Sequence, residues 1–260
     1  MKPWIAIVLA AGKGTRMKSK FPKVLHKAAG KAMVHHVAGC ALRAGAGKLV
    51  TIVGFGADQV EKVMTELSQI VEQKEQLGTG HAVQQCIPAL AGFAGDVVIL
   101  SGDTPLLRPE TLGGLIAAHQ ERNNSATVLT ATLSNPSGYG RIIRRGGQVV
   151  GIVEQKDATD EQKNLNEINT GIYCFKQDKL IEALGTLTND NAQGEYYLTD
   201  TLAYLVEKGE SVGAVILKDP NEALGVNSRE QLAEVEQILR KRKNKELMEA
   251  GVTLTDAAST

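Results

Sequence analysis

The chain has 260 residues, 43% of them hydrophobic and 22% charged, an ordinary globular balance that allows one large domain or two small ones. Its 29 Lys and Arg match its 29 Asp and Glu, so nothing in the overall charge draws it to nucleic acid or a membrane. The three cysteines, Cys40, Cys86 and Cys174, are odd in number and far apart; they argue against a disulfide framework or a zinc site and read as small buried apolar side chains.

The first apolar run, IAIVLA at 5–10, reads as a buried strand entering a glycine-rich turn, LAAGKGTRM. It is too short to span a membrane and lacks a signal-cleavage pattern, so the cytoplasm is the expected location. A helix follows with Met33, Val34, Val37, Cys40 and Ala41 on one face. KLVTIVG at 48–54 predicts a strand, and Val60, Val63, Met64 and Leu67 predict a helix from about Ala57. QIVEQ at 69–73 is a short strand, followed by a helix carrying Ala82, Val83, Cys86 and Ile87. DVVILSGD at 96–103 is an apolar strand with a polar end. Apolar strands separated by helices predict a mostly parallel, doubly wound α/β sheet with right-handed crossovers.

The second half reads differently. ATVLTATL at 126–133, GRIIRR, QVVGIVEQ and TGIYCF predict strands with short turns, Gly146-Gly147 forming a hairpin turn. They are expected to extend the sheet edge and build a β-rich subdomain over the ligand. Helices are predicted near 177–185 and 195–208. A last helix begins at Ser228, which pairs with Gln231 as a capping box, buries Leu232, Val235, Ile238, Leu239 and Leu247, and stops at Gly251. Its basic run at 240–245 reads as a solvated face.

Ligands of an open parallel sheet bind beyond the carboxyl ends of its strands. Three features fall there: LAAGKGTRM, LSGDTPL with Asp103, and Gln73 with Gly78-Thr79-Gly80. The glycine loop misses the third glycine of the dinucleotide fingerprint, having Met17 there, and the chain has no P-loop. Taken alone, the loop is either a phosphate cradle or a tight strand-to-helix turn. Asp103 is either a helix or turn cap, or a carboxylate suited to Mg²⁺ on phosphates. Lys13, Arg16 and Lys23 crowd the loop with positive charge, which favours an anionic ligand. The five histidines show no metal-ligand spacing, and His81 reads as a helix-start residue.

Taken in order, LAAGKGTRM, FPKVLH, EQLGTGHA, LSGDTPL, GYGRI, GIVEQKDA, EINTGIY, NAQGEYYLTD and GVNSREQL resemble the bacterial N-acetylglucosamine-1-phosphate uridyltransferases, specifically the pyrophosphorylase domain of those usually bifunctional enzymes. The loop and the Lys after Phe-Pro are shared among many sugar nucleotidyltransferases; EINTG and NAQGEYYLTD are narrower. The resemblance implies a Rossmann-like nucleotidyltransferase fold that converts UTP and N-acetylglucosamine 1-phosphate to UDP-N-acetylglucosamine and pyrophosphate, with Mg²⁺. It implies that Leu9, Ala10, Ala11, Gly12 and Gly14 hold uridine and its phosphates, that Gln73, Gly78 and Thr79 read uracil and its ribose, and that Gly140, Glu154, Asn169 and Thr170 bind the sugar. Asp103 and Asn227 match the metal ligands, Asn227 also touching substrate, and Arg16 and Lys23 match the catalytic phosphate-binding cations. Some relatives carry an aromatic residue where this chain has Ser101.

The resemblance also divides the chain. Residues 1–227 would be the nucleotidyltransferase, 228–250 a linker helix, and 251–260 the lead-in to a left-handed β-helix. That β-helix carries an acetyltransferase and drives trimer formation in the family. Its hexapeptide repeats do not occur in these 260 residues, so no acetyl transfer is expected of them, and the trimer is implied only for the full-length family, which leaves the oligomeric state of these residues open.

Overall fold

β1 (Trp4–Ala10) is nearly all buried, because both of its faces carry apolar side chains. Trp4, Ala6, Val8 and Ala10 point into one core, and Ile5 and Ile7 into the other. The structure, a computed structural model, describes residues 2–260. After β1 come a small hairpin, β2 (Lys27–Ala28) and β3 (Lys31–Ala32), then α1 (Met33–Arg43), β4 (Leu49–Val53), α2 (Ala57–Met64), β5 (Gln69–Glu72), α3 (Thr79–Gln84) and β6 (Asp96–Ser101). The second half contains α4 (Pro109–Glu121), β7 (Ala126–Thr132), β8 (Arg141–Arg145), β9 (Gln148–Val153), α5 (Asp160–Lys163), β10 (Glu167–Lys176), α6 (Gln177–Leu184), α7 (Asp200–Glu207), β11 (Val212–Ile216) and α8 (Arg229–Glu249).

The main sheet runs β11-β7-β10-β6-β1-β4-β5. β6, β1, β4 and β5 pair in parallel, as their buried, helix-separated runs predict. β10 lies antiparallel between β6 and β7, so TGIYCF sits inside the sheet rather than extending its edge. β11 forms that edge, parallel to β7. The β8–β9 hairpin turns at Gly146-Gly147 as expected and joins the sheet through a single register pair, Ile168 to Arg141. It is the β-rich flap beside the carboxyl ends of the central strands.

Helices cover both faces. Val34 and Val37 of α1, Val60 and Met64 of α2, and Leu112 and Ile116 of α4 close one core. Val83 of α3, Leu180 and Leu184 of α6, and Leu202 and Leu205 of α7 close the other. The segment 109–121 carries its own helical signal, with Leu112, Leu115, Ile116 and His119 all buried, and was not among the predicted elements. α2 stops before Leu67, which is 43% exposed, as Val63 also is at 36%; only Val60 and Met64 of that predicted stripe reach the core. The three cysteines are free and buried, and burial pushes the thiols of Cys40 and Cys86 up to about 12, which leaves neither as a nucleophile. Among the described residues no helix is long and apolar enough to cross a membrane.

α8 folds back on the domain. Val235 is buried against Met17, Ala28, Met33, Leu106 and Val226, with Leu232, Ile238 and Leu239 alongside. Leu247 lies outside that cluster, and Gly251, with φ 91°, follows the last turn as predicted. The expected capping box is divided between two residues. Ser228 Oγ accepts from the Gln231 N–H at 3.2 Å, but Gln231 Oε1 accepts from Asn227 N–H, not from Ser228. The run is solvated except at Arg242, whose guanidinium donates to Leu106 O at 2.6 Å and pairs with Asp219, and at Asn244, which is buried. Ser228→Ala should therefore cost about 1 kcal/mol, the usual loss of an N-cap. A lower urea midpoint with unchanged slope would register it, and an unchanged midpoint would show that the cap is silent.

Candidate active site

The carboxyl ends of β1, β5 and β6 open into one groove with two lobes that share Leu9, Thr79, Ser101 and Asp103. The larger lobe, about 600 Å³, is lined by Leu9, Ala10, Ala11, Gly12, Lys13, Lys23, Gln73, Gly78 and Thr79. The smaller, about 260 Å³, is lined by Arg16, Gly140, Glu154, Asn169, Thr170 and Asn227. Of the predicted site residues only Gly14 lines neither lobe.

Gly14 supports the loop from beneath. It sits at φ 60°, and a Cβ there would lie 2.6 Å from the Cβ of Lys23. The bare backbone is what lets Lys23 cross the loop and reach the groove. Ala11 O is tied to the Phe55 N–H at 3.0 Å. Among the described residues the N–H groups of Gly12, Lys13 and Gly14 donate to no protein acceptor, so they are free for an anion.

Where the lobes meet, the Lys23 ammonium pairs with the Asp103 carboxylate and donates to Asn227 Oδ1 at 2.9 Å. These groups come from a turn after β1, the end of β6 and the start of α8. The second join is backbone to backbone, Val226 N–H donating to Asp103 O at 2.9 Å. One carboxylate and one amide oxygen thus converge on a single cation. Among the described residues no three His, Cys, Asp or Glu gather as a metal site. A two-oxygen set still fits Mg²⁺, which characteristically takes few protein ligands and fills its octahedron with phosphate oxygens and water. Arg16 is exposed on the rim of the smaller lobe.

Gln73 is buried to 3% on the wall of the larger lobe. Its Nε2 donates to Gly78 O at 3.1 Å and lies 3.0 Å from His81 Nδ1. The Gly78–Gly80 segment is stitched to 196–198: Tyr196 N–H donates to Leu77 O, Gly80 N–H to Tyr196 O, and Leu198 N–H to Thr79 Oγ1. That stitching keeps 195–199 out of the helix predicted there, and α7 begins only at Asp200.

In the smaller lobe a bulge in β10 between Asn169 and Ile172 turns Asn169 and Thr170 toward the groove. Asn169 Nδ2 donates to the Tyr173 hydroxyl at 2.7 Å, and its Oδ1 accepts from Gly171 N–H at 2.9 Å. Thr170 Oγ1 donates to Leu129 O, so its hydroxyl serves the bulge first. Gly140 packs under Glu154 and Asn169. Burial holds the Glu154 carboxyl above its ordinary range; Asp200, Asp157 and Glu195 add to the rise, and Thr199 opposes it.

A raised carboxyl binds its proton more tightly when folded than unfolded, so its contribution to stability falls as pH rises from the unfolded value through the folded one. Glu154→Gln removes that penalty. The variant should melt higher than the parent above the ordinary value of 4.5, with the gap widening as pH rises. Thermal melts between pH 4 and 7 with parallel curves would count against it.

Sequence reasoning missed Gln76, Tyr139, Tyr173, Glu195 and Thr199 as lining residues. All five sit inside quoted motifs, EQLGTGHA, GYGRI, EINTGIY and NAQGEYYLTD, where the signal was available. Among the described residues no His or Cys lines the groove, so no Ser-His-Asp or Cys-His arrangement enters it. The geometry suits holding and neutralising a polyanion.

An open α/β sheet that gathers cations and unpaired backbone N–H groups at its carboxyl edge belongs to the class of nucleotide-handling domains. Residues 6–254 match the MobA-like NTP transferase domain, and the chain belongs to that family. It is 50% identical over 98% of its length to the bifunctional protein GlmU of Pelotomaculum thermopropionicum, and 52% identical over 98% to that of Streptococcus suis. It spans 56% of the length of each. The crystal structure of UDP-glucose pyrophosphorylase complexed with UDP-glucose matches with a TM-score of 0.72, covering 93% of this chain and all of that one; at 20% identity this establishes the shared fold.

Proposed function

We propose that the chain transfers a uridylyl group from UTP to N-acetylglucosamine 1-phosphate, giving UDP-N-acetylglucosamine and pyrophosphate. The observation that carries this reading is the meeting of Lys23, Asp103 and Asn227 at the junction of the two lobes. A nucleotide in the larger lobe and a sugar phosphate in the smaller would bring the reacting phosphates to that junction. Family membership and the likeness to the two bifunctional relatives support it.

In this mechanism an oxygen of the sugar phosphate attacks the α-phosphorus of UTP, and pyrophosphate leaves on the opposite side. The attacking oxygen is already anionic, so no general base is needed. The difficulty is bringing two polyanions together. The free N–H groups of the glycine loop take phosphate oxygens, and Lys23 and Arg16 neutralise charge where it builds up. Gln73, Gly78 and Thr79 hold the base and ribose; Gly140, Glu154, Asn169 and Thr170 hold the sugar. Asp103 and Asn227 would hold Mg²⁺, which when bound draws charge from the transferring phosphate. The rest is positioning, for which the rigid strand ends are suited. Residues 1–227 are read as the catalytic unit, with 228–250 as the helix that follows it.

The test is pyrophosphate release from UTP with Mg²⁺, comparing N-acetylglucosamine 1-phosphate with glucose 1-phosphate. Faster release with the acetamido sugar is expected. Release with neither, from folded protein that still binds UTP, would overturn the proposal.

A further inference from the structure

We infer that His81 is a positioning residue that makes Gln73 an acceptor-only reader of the nucleotide base, and so sets selection of uracil over cytosine. The inference rests on the uridylyl reading above. Gln73 Nε2 faces Gly78 O at 3.1 Å, and a backbone carbonyl only accepts, so the NH₂ end of the amide is the end turned inward. The same Nε2 lies 3.0 Å from His81 Nδ1. With the NH₂ donating, Nδ1 must offer its lone pair, and the neutral ring then carries its proton on Nε2. Both amide hydrogens are thereby used inside the wall. Gln73 Oε1 has no partner among the described residues, is not sealed from solvent, and belongs to a residue lining the larger lobe.

A second glutamine competes for the ring. Gln85 Nε2 stands 3.1 Å from His81 Nε2 and 3.2 Å from His81 O. The ring has one lone pair to give, so only one NH₂ group can point at it. Gln73 is 3% exposed, and turning it over would set its oxygen against Gly78 O in a buried wall, which is costly. Gln85 is half-buried, so its side chain can swing off His81 O and present its oxygen to Nε2–H, while His81 O keeps the Gln85 backbone N–H. The ring thus takes its proton on Nε2 and fixes the Gln73 amide.

The consequence is base selection. Uracil presents a donor, N3–H, which an acceptor-only group in the wall matches. Cytosine presents a lone pair at N3, which would meet a second lone pair on Gln73 Oε1. A site built to satisfy one pattern rejects the other because the mismatched groups stay unpaired.

Two measurements test this. Long-range ¹H–¹⁵N NMR on the wild-type chain, with the His81 ring assigned by its loss in His81→Asn, should show the Nε2–H tautomer; an Nδ1–H ring overturns the inference and needs no mutant activity. Steady-state kinetics should show the UTP to CTP ratio of kcat/KM falling about five-fold or more in His81→Leu, the worth of one neutral hydrogen bond. His81→Asn, which places an acceptor near the Nδ1 position, should recover most of the ratio, whereas a merely structural role would lower both nucleotides together. A folded His81→Leu with the wild-type ratio overturns the inference. A wild-type chain that does not prefer UTP overturns the uridylyl reading and, with it, the base-selection role, while the tautomer still decides the His81–Gln73 geometry.

Discussion

Asp103→Ala is expected to lower kcat/KM for pyrophosphate release from UTP by about 10²–10³, or about 2.7–4 kcal/mol of transition-state stabilisation, if loss of an oxyanion donor is a fair guide. Asp103 ends β6, pairs with Lys23 and shares that ammonium with Asn227. Alanine therefore removes the only carboxylate of the two-oxygen set and releases Lys23 from its place at the junction. The fold should tolerate the change. Both side chains of the pair are about one-sixth exposed, at 16% for Asp103 and 15% for Lys23, and Lys23 keeps Asn227 and water as partners. Breaking a fully buried pair costs about 3–5 kcal/mol; the loss here should be smaller, because Lys23 lines the open groove and keeps Asn227 as a partner. Asp103→Asn separates charge from shape: if the carboxylate charge is what matters, the amide should be almost as impaired as alanine. Mn²⁺ binding followed by paramagnetic resonance in the presence of UTP should weaken in both variants. A variant within about five-fold of the parent, with metal binding intact, would remove Asp103 from the site.

The sequence carried the frame of this site because its signals are local. A buried strand followed by glycines and cations, as in LAAGKGTRM, reads without any partner in view, and so does an apolar strand ending in Ser-Gly-Asp. Both lie at the sheet edge where open α/β folds bind ligands. The helical stripes over 33–43 and the hairpin at Gly146-Gly147 were legible for the same reason. What was not legible depends on contacts between distant segments. The central antiparallel place of β10 follows from its pairing with both β6 and β7, which no periodicity encodes. Residues 195–199 have helix-compatible composition, yet backbone bonds from 196 and 80 tie them to 77–80 and leave them out of α7. His81 lies where a helix-start role is the natural reading, and only the fold sets its ring beside Gln73. Gln231 forms half of a capping box because Asn227, at the groove, takes its oxygen instead. The last three of these departures fall where two chain segments meet around the groove, and there tertiary pairing overrides local preference.

Gly78→Ala is expected to be the most disruptive single methyl that could be added to the groove. Gly78 sits at φ 115° and ψ 174°, a region essentially reserved for glycine, and forcing a side chain there costs about 1–3 kcal/mol. The added Cβ would also stand 2.6 Å from Tyr196 O and 2.8 Å from Tyr196 N. Those are backbone atoms held by the bonds from Gly80 N–H and to Leu77 O, so neither can swing aside as a side-chain tip could. Overpacking of this kind adds about 1–3 kcal/mol. The sum, about 2–6 kcal/mol, should lower the melting midpoint by roughly 4–24 °C for a domain of this size. Strain that large is relieved most cheaply by parting 77–80 from 195–198, which would take Thr79 and the Gly78 carbonyl away from their places beside Gln73. UTP binding should then fall in parallel with faster hydrogen exchange at the amides of Gly80 and Tyr196. Slow exchange at those amides together with normal UTP binding would mean that the stitch survives a methyl group, and that the glycine is not what holds the base-binding wall together.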